Sequence, residues 1–127
     1  MIRSLLVIVA LVVPAHATTM VSPSVFATLR IAGETQIVPD EPTRKAIAKA
    51  DKKVIGSFKL CVDTKGIVSS VALLKSTGYR DYDDKLQFTM RSWRYRPILV
   101  GGKPVAICGV ITFIYTEPKP PPVKITT

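Results

Sequence analysis

The stretch Val54-Ile55-Gly56-Ser57-Phe58-Lys59-Leu60-Cys61-Val62-Asp63-Thr64-Lys65-Gly66-Ile67-Val68 decides the fold of this chain. From Ile55 to Val62 the side chains alternate, with Phe58, Leu60 and Val62 on one face and Ser57, Lys59 and Cys61 on the other. A period of two marks a half-buried strand. Asp63-Thr64-Lys65-Gly66 reads as a hairpin connection in which Gly66 supplies the positive φ that the turn needs. Ile67 to Lys75 is then a second strand, ended by Ser76-Thr77-Gly78.

The period changes downstream. Tyr82, Leu86 and Met90 recur at helical spacing, and Trp93 extends the stripe, so a helix from about Tyr82 to Ser92 should cover the sheet. Asp81 is a capping candidate with Asp84 three residues on, and Arg91 and Arg94 suit the negative end of the helix dipole. Pro97 cannot continue the helix. Val100-Gly101-Gly102-Lys103-Pro104 reads as a loop, and Val105 to Tyr115 as a third strand with Ile107, Ile111, Phe113 and Tyr115 in phase.

Connectivity constrains the arrangement. The hairpin makes the first two strands antiparallel, and a helical return leaves the third antiparallel to the first. The expected fold is α+β: a three-stranded antiparallel sheet in the order second-first-third, with helices packed on one face. In that register Cys61 lies late in the first strand and Cys108 early in the third, on the face opposite Phe58 and Leu60. A cross-strand Cys61–Cys108 disulfide is predicted, the alternative being two buried free thiols.

Upstream, Val21 to Val38 reads as extended, with a turn at Gly33-Glu34. Asp40-Glu41-Pro42 opens a short helix to about Lys52, whose thin apolar stripe is Ala46, Ile47 and Ala50. The first residues read as an export signal: Arg3, an apolar run from Leu5 to Val13, Pro14, then Ala15-His16-Ala17 as a small-x-small cleavage site. Cleavage between Ala17 and Thr18 would leave 110 of the 127 residues, enough for one modest core. The chain thus divides into a signal peptide (1–17), a lead-in with a short helix (18–53), the sheet domain (54–116) and a tail rich in proline and lysine (117–127).

Composition narrows the function. His16 is the chain's only histidine and lies in the leader, which removes histidine-dependent catalysis and histidine-ligated zinc from the mature protein. Two cysteines cannot close a structural zinc site, so no metal or cofactor is expected. Asp81, Asp83 and Asp84 form an acidic cluster that helix stabilisation explains more simply than catalysis does, so an enzyme is not expected. Lys and Arg number 18 against 9 Asp and Glu, giving +9. That balance fits a solvated surface, with peripheral contact to anionic lipid or attraction to an acidic partner as the sharper alternative, and no nucleic-acid signature accompanies it. Trp93 reads as a core residue, while Arg94 and Arg96 fit either a partner carboxylate or plain solvation.

Gly56-Ser57-Phe58-Lys59-Leu60-Cys61-Val62-Asp63-Thr64-Lys65-Gly66, Leu74 to Tyr79, Tyr82-Asp83, Trp93-Arg94-Tyr95-Arg96-Pro97, Gly102 to Val105 and Thr112-Phe113 resemble, in order and spacing, the C-terminal domain of TonB-type energy transducers. The resemblance covers about half the chain, and the cysteine pair is an addition to the family pattern. It implies a periplasmic domain that accepts an extended segment of an outer-membrane transporter or other envelope protein by strand addition, linked to TonB-dependent transport. The edge it implies is the third strand: Val105, Ala106, Ile107, Gly109, Val110, Ile111, Thr112 and Phe113. The Leu29–Val38 segment or a dimer partner is the alternative occupant of that edge. Full transducers carry an uncleaved membrane helix and a long proline-rich spacer before the domain. Here the leader reads as cleavable and the prolines follow the domain. Two other readings stay open: a self-associating envelope scaffold, and a basic binder of anionic envelope polymers.

Overall fold

The computed structural model describes residues 18–118, so the leader, Ala17 of the cleavage site and the tail from Lys119 onward lie outside the described residues. The first long strand, β3 (Val54–Val62), buries Val54, Gly56, Phe58, Leu60 and Val62 and leaves Lys59 exposed, as its alternation requires. It pairs antiparallel with β4 (Val68–Lys75) and, on its other side, with β8 (Ile107–Tyr115). The turn between β3 and β4 is held by Asp63, whose carboxylate accepts from the backbone N–H groups of Lys65 and Ile67. Gly66 sits there at φ +79°, where a Cβ would fall 1.9 Å from the Tyr95 carbonyl oxygen. A side chain is excluded on both counts.

Two helices lie across the sheet face that carries Phe58 and Leu60. Helix α2 (Glu41–Ala50) contributes Ile47, and α3 (Arg80–Met90) contributes Tyr82, Leu86 and Met90. Trp93 continues the α3 stripe into the core at 1 % exposure. Each such side chain contributes about 1.5–3 kcal/mol of transfer free energy on burial. Helix α3 starts at Arg80, with Tyr79 as N-cap and Asp81 in its first turn, so the expected Asp81 cap is corrected. Asp83 secures that end instead: its buried carboxylate accepts from the Thr77 N–H at 2.8 Å, from Thr77 Oγ1 at 2.6 Å and from Ser76 Oγ. Asp40 stands at the N-cap of α2, but its carboxylate reaches Lys85 Nζ at 2.8 Å rather than capping the helix.

The lead-in departs most from its expected extended form. Strand β1 (Thr19–Met20) is followed by α1 (Pro23–Leu29) and then by β2 (Arg30–Ala32). Ser22 caps α1, accepting from the Val25 N–H, and Pro23 takes the first helical position. This helix buries one side chain, Phe26, which stacks on Tyr95 with ring centroids 4.4 Å apart. Strand β2 pairs with β5 (Arg94–Tyr95), and two further backbone donors bind there: the Tyr95 N–H donates to the Gly66 carbonyl, and the N–H of Arg96, just past β5, to that of Leu29. The Trp93–Arg96 run is therefore a structural crossing point that ties the lead-in to the β3–β4 turn. The expected loop at Val100–Pro104 is a small hairpin of β6 (Ile98–Val100) and β7 (Lys103–Val105), reversed at Gly101-Gly102.

The three long strands lie in the expected order, but the sheet has four strands, β1-β8-β3-β4, and not three. Strand β1 runs parallel to β8, with Thr19 opposite Ile107 and Met20 opposite Cys108. A pairing of two residues with a partner nearly ninety positions away leaves no local pattern to read.

Candidate functional site

Strand β8 carries six of the eight residues singled out from sequence, and its outer edge is the candidate site. Its other edge is fully engaged, since residues from Ile107 to Tyr115 face β3 from Val62 back to Val54. Cys61 and Cys108 are directly opposed in that register and joined as a disulfide, with Cα atoms 4.1 Å apart. So short a separation marks a non-hydrogen-bonded pair, in which the backbone N–H and C=O of each residue point away from the other strand. The Val21 N–H accordingly meets the Cys108 carbonyl from the outer side at 2.9 Å. The same alternation turns the backbone groups of Val110, Thr112 and Ile114 outward. Past Cys108, no strand pairs with this edge among the described residues.

The eight residues predicted as one peptide-binding run thus fall into separate places. Val105 belongs to β7 and Ala106 to no strand, so both lie outside β8. Ile107 lies opposite Thr19 of β1. Gly109, Ile111 and Phe113 direct their backbone groups to β3, while Val110 and Thr112 present theirs outward together with Ile114, one residue beyond the predicted run. The alternative occupant predicted for this edge, Leu29–Val38, pairs through Arg30–Ala32 with β5 instead.

The surroundings of the edge are mostly apolar. On the helical face stand Ile111, Phe113 and Tyr115, half-buried, with Phe113 tilted against Trp93 at 6.2 Å and edge-on to Phe58 at 5.9 Å. On the opposite face Ile114 is 64 % exposed, and Ser57 and Thr112 share a hydroxyl hydrogen bond at 3.0 Å. Gly109 marks the boundary of the covered part. A Cβ there would lie 2.4 Å from the Phe26 ring, so α1 rests directly on the β8 backbone.

Polar groups gather at the far end of β8. Glu117 accepts from the Tyr115 hydroxyl and from Arg44, whose Nη2 lies 3.2 Å away. These hydrogen bonds, that from Tyr115 foremost, hold the Glu117 carboxyl below its usual range. A surface cleft of about 800 Å³ opens beside this cluster, lined by residues that include Ile47, Asp51, Lys52, Lys53 and Glu117. Among the described residues no three of His, Cys, Asp and Glu stand where they could hold a metal ion together. Trp93 is held inside by its Nε1–H, which donates to the Glu34 carbonyl at 2.9 Å, and by the Arg30 guanidinium 4.8 Å above its ring. Arg94 and Arg96 are both exposed.

The solution NMR structure of the TonB C-terminal domain of Pseudomonas aeruginosa is similar to this chain, with a TM-score of 0.52 over 72 % of the present chain and 88 % of that one, at 20 % identity. The fold is TonB C-terminal-like. No protein-family model matches the sequence, and neither does any curated protein. Among the described residues no helix is long and apolar enough to cross a membrane.

Proposed function

We propose that this chain is a non-enzymatic periplasmic domain that binds an extended peptide of an outer-membrane transporter or other envelope protein by adding it as a strand to the outer edge of β8. The observation that carries this reading is the edge past Cys108, where the backbone groups of Val110, Thr112 and Ile114 face outward with no strand beside them among the described residues. Main-chain hydrogen bonds supply affinity in strand addition, and alternate side chains of the guest supply selectivity. Both rows of side chains flanking this edge are largely apolar, which suits a guest with few charges at its centre. TonB-fold likeness and the export signal read in the leader support the compartment and the class of partner.

The experiment is an NMR titration of the oxidised protein with TonB-box peptides from outer-membrane transporters of the same organism. Shift changes concentrated on Val110 to Tyr115 are the expected result. Absence of shifts, with a mass that rises with concentration, would assign the same edge to a second copy of the chain and make the protein an envelope scaffold. Binding to anionic polymer that collapses with salt would instead support the electrostatic reading.

A further inference from the structure

We propose that β1 is a self-donated plug: the segment Thr19–Val21 closes the Ile107–Cys108 end of the β8 edge, confines a guest peptide to Val110–Tyr115, and can be displaced to lengthen the site. This rests on the strand-addition reading of β8 and goes beyond it by assigning a gate within the same chain.

Three observations carry the inference. First, β1 is held lightly. Its two residues are both exposed, Val21 after them is only half-buried at the margin of the core, and the backbone bond that ends the pairing is Val21 N–H to Cys108 C=O at 2.9 Å. Second, what lies on either side of it is held firmly. Cys108 is linked covalently to Cys61, and α1 is pinned through Phe26, fully buried between Tyr95 and the backbone of Gly109. Loss of the β1 pairing therefore leaves both the edge and the helix in place, with Ser22 at the α1 N-cap as the natural pivot. Third, the plug and the bare edge are collinear. A guest strand added along Val110–Ile114 runs into Val21, where the chain leaves the edge to enter α1, and further pairing toward Ile107 requires β1 to leave.

The geometry selects the variants. In a parallel pair, hydrogen bonds to one strand come from alternate residues, so Val21 bonds to β8 while the Met20 N–H points away. Val21→Pro removes the donor, Met20→Pro leaves it intact, and Val21→Ala, which keeps the N–H while trimming the half-buried side chain, controls for lost packing.

Amide exchange on the wild-type protein comes first. The Val21 amide is expected to exchange at least roughly 100-fold faster than that of Leu60 at the centre of β3, as a locally opening segment does. Titrations with the same TonB-box peptides follow. In Val21→Pro the shift changes should extend to Ile107 and Cys108, and binding should tighten by roughly three- to tenfold for each backbone hydrogen bond gained. Met20→Pro should match wild type in footprint and affinity. Protection of Val21 equal to that of Leu60 would overturn the plug, as would an identical footprint and affinity in wild type and Val21→Pro. A peptide that binds neither protein removes strand addition itself, and the role of the plug with it.

Discussion

Cys61 and Cys108 occupy directly opposed positions on β3 and β8, so their disulfide closes a sequence separation of 47 residues across a pair of neighbouring strands. The link spans the β3–β4 hairpin, α3 and the β6–β7 hairpin, the greater part of the sheet domain. In the chain-entropy account a loop of this size restricts the unfolded state by up to about 4 kcal/mol. Reduction, or a Cys61→Ala/Cys108→Ala double substitution, is expected to lower the unfolding free energy by about 2–4 kcal/mol. Urea denaturation with and without reductant measures this. An unchanged midpoint would mean that the link does not constrain the unfolded chain.

Gly109 and Phe26 give a second prediction. A methyl at position 109 points into the Phe26 ring, with its nearest carbon 2.4 Å away. Gly109→Ala should cost about 1–3 kcal/mol, the usual range for overpacking. The penalty should shrink in a Phe26→Leu background, since the contact responsible is then smaller. Equal penalties in both backgrounds, measured by a double-mutant cycle, would place the cost elsewhere.

Asp83 separates the three neighbouring aspartates. It alone is buried, and its carboxylate collects the Thr77 and Ser76 donors where β4 hands over to α3. Asp83→Ala leaves those donors unmatched in a buried setting and should cost at least about 2–3 kcal/mol. Asp81→Ala and Asp84→Ala, on the exposed side of the first turn and at the next residue, should each cost under about 1 kcal/mol. Thermal or urea unfolding of the three single variants decides between this ordering and a uniform contribution.

Legibility of the fold follows how local its causes are. The β3–β4 hairpin, the Tyr82–Leu86–Met90–Trp93 stripe and the Cys61–Cys108 pair all rest on short-range periodicity plus one connectivity argument, and all appear as expected. Helix α1 buries Phe26 alone, so it carries no apolar repeat from which the sequence could predict it. Its signal was Ser22-Pro23, a cap followed by a proline at the first helical position. The β6–β7 hairpin has a local signature in Gly101-Gly102, a favoured two-residue turn, within a stretch whose composition predicts a loop. At the start of α3 the spacing predicts Asp81 as the cap, whereas Asp83 holds that end by accepting from Ser76 and Thr77. For the candidate site, β8 was recognisable as a strand, but which of its residues face outward depends on the register with β3 and on β1. The Cys61–Cys108 pair carries that register in the sequence, whereas β1, two residues paired with a distant partner, has no local signature.

Alkaline pH should destabilise the protein through two phenols. Burial pushes Tyr82 up to about 12, with the neighbouring Tyr115 adding to the shift. Burial likewise pushes Tyr95 up to about 12, against the opposing pull of Arg30. The Tyr82 hydroxyl donates to the Ile37 carbonyl at 2.7 Å, and that of Tyr95 is buried close to the Arg30 guanidinium. Both groups hold their proton more tightly folded than unfolded. Their contribution is therefore fully present below pH 10 and lost as pH rises from about 10 toward 12. Denaturation midpoints should fall across that window, with phenolate absorbance appearing together with unfolding. Early, independent titration of all four tyrosines would contradict it.

The covalent bond near one end of β8 also has a mechanical meaning. Tension applied along a guest strand on the outer edge would reach β8 lengthwise and pass into β3 across nine opposed residue pairs, from Val62–Ile107 to Val54–Tyr115. Near one end of that seam sits the Cys61–Cys108 link, and at the other Tyr115 and Glu117 meet Arg44 of α2. Such a seam is loaded in shear and riveted near one end, so it cannot peel open from the Cys108 side. Under the proposed strand addition, a pull on the guest would therefore load the whole β3–β8 seam, which is held covalently near its Cys108 end.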